Sequence, residues 1–265
     1  MNLLRLLHLC DSLFPIGGFA YSDGLETAIT ARPKPDTTDV KPAPTVRLKP
    51  DITDGKPAPA VRLKPNTADV EPAISYISDL CGWMDVCLDE TIGRLEGPAV
   101  WQAWPAFRDA DWAAIAALDE ELHALRPSSS ARRSSRAMGL RLLTTWQALH
   151  PDRRIEQAVT LARGGRLGPA LPIAFAGACV CSGIEPRCAV EAFAYTRLAA
   201  TISAAMRLMP IGQTDAHALL ARTLDRVPAV VDRIIARDDR VEAFSPALDI
   251  AAMTQQYVHS RLFRS

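Results

Sequence analysis

Lysine is almost missing from this chain. All five lysines lie between Pro33 and Pro72, and outside that stretch the basic side chains are arginines and histidines. No Gly-x-x-x-x-Gly-Lys-Ser/Thr segment can therefore be found, which excludes the phosphate cradle of a P-loop nucleotide hydrolase. Nor does any Gly-x-Ser-x-Gly occur, so the sharp turn that exposes a serine nucleophile has no candidate. The five histidines, His8, His123, His150, His217 and His259, include no pair at the i, i+4 spacing of a helical metal site. Net charge is lacking as well. Thirty basic and thirty acidic residues cancel, which removes any whole-molecule attraction to nucleic acid or to an anionic membrane. The apolar stretch from Ala170 to Gly183 is too short to span a bilayer. No residues are visible that could carry catalysis.

What is present is core. A chain of 265 residues that is 48% hydrophobic and 23% charged can bury a substantial interior. Met1 to Cys10 is interrupted by Arg5 and His8 and is followed by no small-residue cleavage site, so it reads as a helix of the mature protein. The six cysteines, Cys10, Cys81, Cys87, Cys179, Cys181 and Cys188, fall within apolar helical patterns, which points to reduced thiols in a cytoplasmic protein. Between Arg32 and Tyr76 the composition changes. Three fifteen-residue units can be superimposed, RPKPDTTDVKPAPTV, RLKPDITDGKPAPAV and RLKPNTADVEPAISY, and nine of the twenty prolines lie there. Proline at that density removes amide donors, and the units offer nothing large to bury. Residues 32–72 are therefore expected to be a disordered, Pro-rich insert in a single helical domain formed by 1–31 and 73–265.

The remainder predicts an all-α bundle of about ten helices. Ile74, Ile77, Cys81, Met84 and Leu88, widened by Leu80 and Cys87, mark one buried face. A helix is expected over Pro98 to Phe107, and another from Asp111 to Leu125 with a stripe of Trp112, Ile115, Leu118, Leu122 and Leu125. The basic, serine-rich Pro127 to Arg136 reads as a loop entering the next helix, which Leu140 to Leu149 completes. It has no interleaved aromatic for stacking on bases. Ile155 to Leu161 supports a helix ending at Gly164-Gly165. Arg187 to Met209 is apolar nearly all round, as expected of a central helix, with small residues from Ala189 to Ala204 allowing close contacts. Pro210 stops it, Thr214 or Asp215 can cap the following helix, and Pro228 is expected to kink that helix. A short helical pattern through Ile250, Met253 and Tyr257 precedes the terminus.

The stretch Asp11 to Glu26, DSLFPIGGFAYSDGLE, is too apolar for a solvated linker. Pro15 fixes its own backbone, Gly17 and Gly18 permit close approach, and Phe14, Ile16, Phe19 and Tyr21 must pack onto something. Asp23 can cap the next helix, with Glu26 three residues on. This stretch, with Leu208-Met-Pro-Ile-Gly-Gln-Thr-Asp215 and the terminal Ser260-Arg-Leu-Phe-Arg-Ser265, resembles the UreF family of urease accessory proteins. The resemblance covers about residues 2 to 30 and 74 to 265. The chain departs from the family pattern in the insert and at Arg133, which stands where an acid is usual beside Ser135 and Gly139. It departs again at Gln255 and Gln256, which take the place of a His-Glu pair.

The resemblance implies a helical, dimerising, non-enzymatic scaffold. It would join UreD, also called UreH, and the GTPase UreG in the complex that inserts nickel into apo-urease, with no cofactor bound stably by the chain itself. It also implies which residues meet partners. Pro15, Gly17, Gly18 and Tyr21 would shape a corner near the GTPase, with Glu26 as a polar contact, and Tyr257, Arg261, Leu262, Phe263, Arg264 and Ser265 would dock on UreD. Two rivals follow from the residues. The Cys179, Cys181 and Cys188 group suggests a metal-binding hydrolase, although residues two apart on a helix point nearly opposite ways. A helical DNA-binding regulator is disfavoured by the neutral charge.

Overall fold

The computed structural model of the protein describes residues 3–11, 14, 24–30, 77–237 and 240–255. They form α1 (Leu3–Cys10), α2 (Leu25–Thr30), α3 (Ile77–Val86), a π-helical segment (Cys87–Glu96), α4 (Gly97–Asp109), α5 (Trp112–Ala124) and α6 (Ser129–Leu149). These are followed by α7 (Arg153–Arg163), α8 (Leu171–Cys181), α9 (Pro186–Leu208), α10 (Gln213–Leu224), α11 (Val227–Arg237) and α12 (Pro246–Thr254). Among the described residues there is no strand, and the all-α architecture expected from hydrophobic periodicity is the observed one. No helix among them is long and apolar enough to cross a membrane. The fifteen-residue repeats lie outside the described residues.

The core is built around α9 and α8. From α9, Val190, Phe193, Leu198 and Ile202 are buried, and the helix touches α1, α2, α3, the π segment, α4, α8, α10 and α11. Buried Ala189, Ala204 and Ala205 let these neighbours approach closely. All of α8 from Leu171 to Val180 is buried. It packs between α4 and α6, and each large apolar side chain there contributes about 1.5–3 kcal/mol relative to exposure. At Gly177 a Cβ would come within 2.8 Å of the Phe107 ring, so the α4–α8 crossing requires glycine.

The helix expected to begin at Pro98 is part of a longer run, because α3, the π segment and α4 follow one another without a break. The four-residue spacing of Leu80, Met84, Leu88 and Ile92, all buried, explains the π segment. In a regular α-helix, sixteen residues would rotate Glu96 about 160° away from Leu80. Bonds that span five residues, such as Gly97 N–H to the Ile92 carbonyl, turn the chain less per residue. Glu96 is thereby brought onto the buried line.

Three other expectations are corrected. The serine-rich stretch is helical from Ser129, since Ser128 caps α6 by accepting from Ala131 N–H. The residue at the N-cap of α10 is Gly212, with no side-chain cap bond; Asp215 lies in the first turn. Pro228 kinks nothing, because α10 ends at Leu224 and Pro228 sits in the first turn of α11, where its missing N–H has no helical partner to lose.

The loop Gly168 to Leu171 is fastened from two sides. Asp119 on α5, nearly fully buried, accepts from Gly168 N–H and Ala170 N–H, both at 2.8 Å. From α6, Ser135 Oγ accepts from Leu171 N–H at 3.0 Å, and at Gly139 a Cβ would overlap the Pro169 carbonyl. Burial outweighs the two backbone donors and pushes the Asp119 carboxyl from 3.8 up to about 6. A carboxyl raised on folding binds its proton more tightly in the native state. Its contribution is therefore greatest below about pH 4 and declines as pH rises to about 6, at about 1.4 kcal/mol per pH unit inside that window. Urea midpoints of the native chain, measured against Asp119→Asn, should fall across the window. A difference that stays constant from pH 4 to pH 6 would contradict this.

Candidate functional site

The site begins where the two ends of the chain meet. Phe14 is buried, as expected for the corner stretch, with its ring 5.3 Å from His8 and 5.6 Å from Trp146. After the corner, Gly24 adopts φ +90° and opens α2. Its N–H donates to Gln255 Oε1 at 3.2 Å, and Gln255 Nε2 donates to Glu26 Oε2 at 3.4 Å. Glu26 is 1% exposed and Gln255 3%. A Cβ on Gly24 would lie 2.7 Å from the Ala252 nitrogen, so α2 and α12 are in backbone contact. The face α12 buries carries Leu248 and Ala251, whereas Ile250 and Met253 are exposed. From the other side Ser128 Oγ donates to the Ala252 carbonyl at 3.3 Å.

Beneath α12 lies a cavity of about 80 Å³, bordered by Glu96, Arg126, Arg197, Thr201, Leu248 and Asp249. Glu96, at 2% exposure, is held by two guanidiniums. Arg126 donates to one carboxylate oxygen, and Arg197 Nε donates to the other at 2.9 Å. Arg132 in turn donates to the Arg126 carbonyl and, at 2.9 Å, to that of Pro127. Burial pushes the Asp249 carboxyl up, against the opposing pull of Arg126. Both Glu96 oxygens are engaged by guanidiniums. The arrangement ties the π segment, the loop before α6 and α9 into one knot, on which α12 rests.

Of the residues expected to meet partners, Glu26 is described, and it faces the α2–α12 seam. Pro15, Gly17, Gly18, Tyr21, Tyr257, Arg261, Leu262, Phe263, Arg264 and Ser265 lie outside the described residues, as does the Asp23 cap. Of the cysteines, Cys179 belongs to the core, and Cys10, Cys81, Cys181 and Cys188 pack against it half-buried. Cys179 is wholly buried and its thiol is pushed well above the usual range, while burial pushes Cys10 and Cys181 up to about 12. Protonated thiols are poor soft-metal ligands at neutral pH. Among the described residues no group of three or more His, Cys, Asp or Glu could hold a metal ion.

Sequence reasoning missed Glu96, Arg126 and Asp119. For Glu96 a signal existed, since it continues the four-residue spacing of Leu80 to Ile92. Its guanidinium partners, thirty and a hundred and one positions away, left no local trace.

A family model described as UreF matches residues 75–224. Over its whole length the chain is also similar to proteins described as urease accessory protein UreF. It is 28% identical over 266 residues to that of Polaromonas sp., spanning 95% of the relative, and 29% identical over 267 residues to that of Methylibium petroleiphilum, spanning 94%. To the protein of Cupriavidus metallidurans it is 27% identical over 270 residues, spanning 98%.

Proposed function

The chain belongs to the UreF family, and from that premise we propose that it acts in urease maturation as a non-catalytic scaffold. In this reading it joins UreD and the GTPase UreG in the cytoplasmic complex that delivers nickel to apo-urease. It works as a homodimer and holds no resident cofactor; nickel is the cargo of the assembly. The observation that carries the reading is the α2–α12 seam. One buried contact, Gly24 and Glu26 with Gln255, joins the amino-terminal corner to the root of the carboxyl-terminal segment, so that two candidate docking surfaces share one foundation.

A scaffold of this kind acts by differential binding. If it holds one nucleotide state of its GTPase more tightly than the other, hydrolysis is coupled to metal release by the difference between those affinities. Rigidity is then an asset, and the knot at Glu96 supplies it.

The test is size-exclusion chromatography of the purified chain with UreD and UreG. Co-elution of all three is expected. Deleting Arg261 to Ser265 should remove UreD from the complex while helical circular dichroism is unchanged. Separate elution of the intact chain would refute the scaffold role, and unchanged UreD binding by the shortened chain would refute the role of the tail.

A further inference from the structure

A local excess of positive charge lies on and beside one pair of helices, α6 and α7. From Arg126 to Arg166 the sequence carries nine arginines against two carboxylates, Asp152 and Glu156. Elsewhere among the described residues many arginines are matched. Arg226 meets Asp85 and Asp89, Arg187 meets Glu191 and Asp232, Arg237 meets Glu242, and Arg94 meets Glu90. Within the basic segment, Arg126 is taken up by Glu96 and Arg154 by Asp152. Six remain. Arg133, Arg136, Arg141, Arg153, Arg163 and Arg166 are all exposed, and none of them forms an ion pair with a carboxylate among the described residues.

These six lie on α6, on its neighbour α7 and on the turn that follows α7. On α6, Arg133, Arg136 and Arg141 fall within an arc of about 140° at 3.6 residues per turn. The partner helix α7 packs against α6 and adds Arg153 and Arg163. Between α5, α6 and the end of α7, Arg136 and Arg166 border a cleft of about 480 Å³ walled by Leu140, Ala162 and Pro169. Two carboxylates also border it. Asp119 is already occupied by the Gly168 and Ala170 N–H groups, which leaves Glu120 on the rim as the one acid free of the loop.

Unpaired like charges crowded on one surface repel one another, so a ligand of opposite sign is the means of relieving them. A guanidinium fork suits a carboxylate in two-point contact. The exposed side chains of α6 and α7 include no aromatic, Trp146 being fully buried. That leaves no stacking platform for bases and no aromatic belt for a membrane interface. We propose that the α6–α7 face docks an acidic protein segment, with one carboxylate seated in the cleft between Arg136 and Arg166. This docking rests on charge and shape, and it holds or fails separately from the scaffold role.

The experiment titrates labelled poly-L-glutamate into the full-length chain, beside duplex DNA and phosphatidylserine vesicles at matched ionic strength. Saturable binding of poly-L-glutamate is expected, weakened about tenfold by Arg136→Glu with Arg166→Glu, since rim charges govern encounter and salt dependence. Arg136 also touches His123, so a second variant, Arg133→Glu with Arg141→Glu, guards against local misfolding and should weaken binding in the same direction. The control Arg222→Glu, on α10, should change affinity by less than about twofold, as an exposed charge remote from the face. Absence of poly-L-glutamate binding at low salt would overturn the proposal. So would equal losses from the control, or tighter binding of DNA or vesicles than of poly-L-glutamate.

Discussion

Replacing Glu96 by alanine is expected to cost about 3–5 kcal/mol of stability, the usual consequence of removing one partner from a buried ion pair. The protein would then retain only a fraction of the roughly 5–15 kcal/mol that holds most domains together. The reason lies in what remains. Arg126 and Arg197, with side chains 13% and 17% exposed, would lose the carboxylate they share, beside a cavity that already measures about 80 Å³. Glutamine is expected to fall in between, because its amide can accept from one guanidinium but sets an NH₂ against the other. Replacing all three together, Glu96→Leu with Arg126→Met and Arg197→Leu, should recover much of the loss, since the desolvation of three charges disappears with them. Urea unfolding checks the series. If Glu96→Ala costs less than about 1 kcal/mol, in the range of a surface pair, then the knot is not what holds the π segment, α6 and α9 together.

The same residue shows how far sequence reasoning reached. The stripes of α3 with its π continuation and of α5 were legible in part because they are local; Leu80, Met84, Leu88, Ile115, Leu118 and Leu122 recur at helical spacing and are all buried, whereas Ile77, expected on the same face, is 43% exposed. The centrality of α9 was legible because no polar face could be found on it. What failed was long-range or depended on context. The π segment changes the period that the reading assumed. Pro228 gave the same local signal whether it kinked a helix or began one, and only the break after Leu224 decides. On α12 the apolar Ile250 and Met253 point outward while Gln255 is buried, because the hydrogen bonds to Gly24 and Glu26 offset the burial of a polar amide. No composition rule anticipates that inversion. The meeting of the two ends was suggested by nothing in the spacing, although both ends had been singled out separately.

That meeting is open to a sharper test in Gly24→Ala, which should release α12 while leaving the body of the bundle intact. Two penalties combine. At φ +90° a side chain is strained by about 1–3 kcal/mol, and the added Cβ would press on backbone, 2.7 Å from the Ala252 nitrogen and 2.9 Å from the Ala251 carbonyl carbon. Backbone on a helix cannot swing aside as a side chain would, so α12 must move away. It would take with it the Gly24–Gln255 and Gln255–Glu26 bonds, each worth about 1 kcal/mol. Little else opposes the release, because α12 is nine residues long, buries only Leu248, Ala251 and the flanking Gln255, and is otherwise tied by the Ser128 Oγ bond to the Ala252 carbonyl. Hydrogen exchange should report faster opening at the amides of α12, on the order of a hundredfold for a loss of roughly 3 kcal/mol, with α8 and α9 unaffected. In the co-elution assay the variant should lose UreD, since the carboxyl-terminal segment would no longer be anchored beside the corner. Unchanged exchange in α12 would mean that the seam adapts to a methyl group. Faster exchange with UreD still bound would mean that docking needs the tail but not its anchor, and the shared foundation assigned to Gly24, Glu26 and Gln255 would have to be given up.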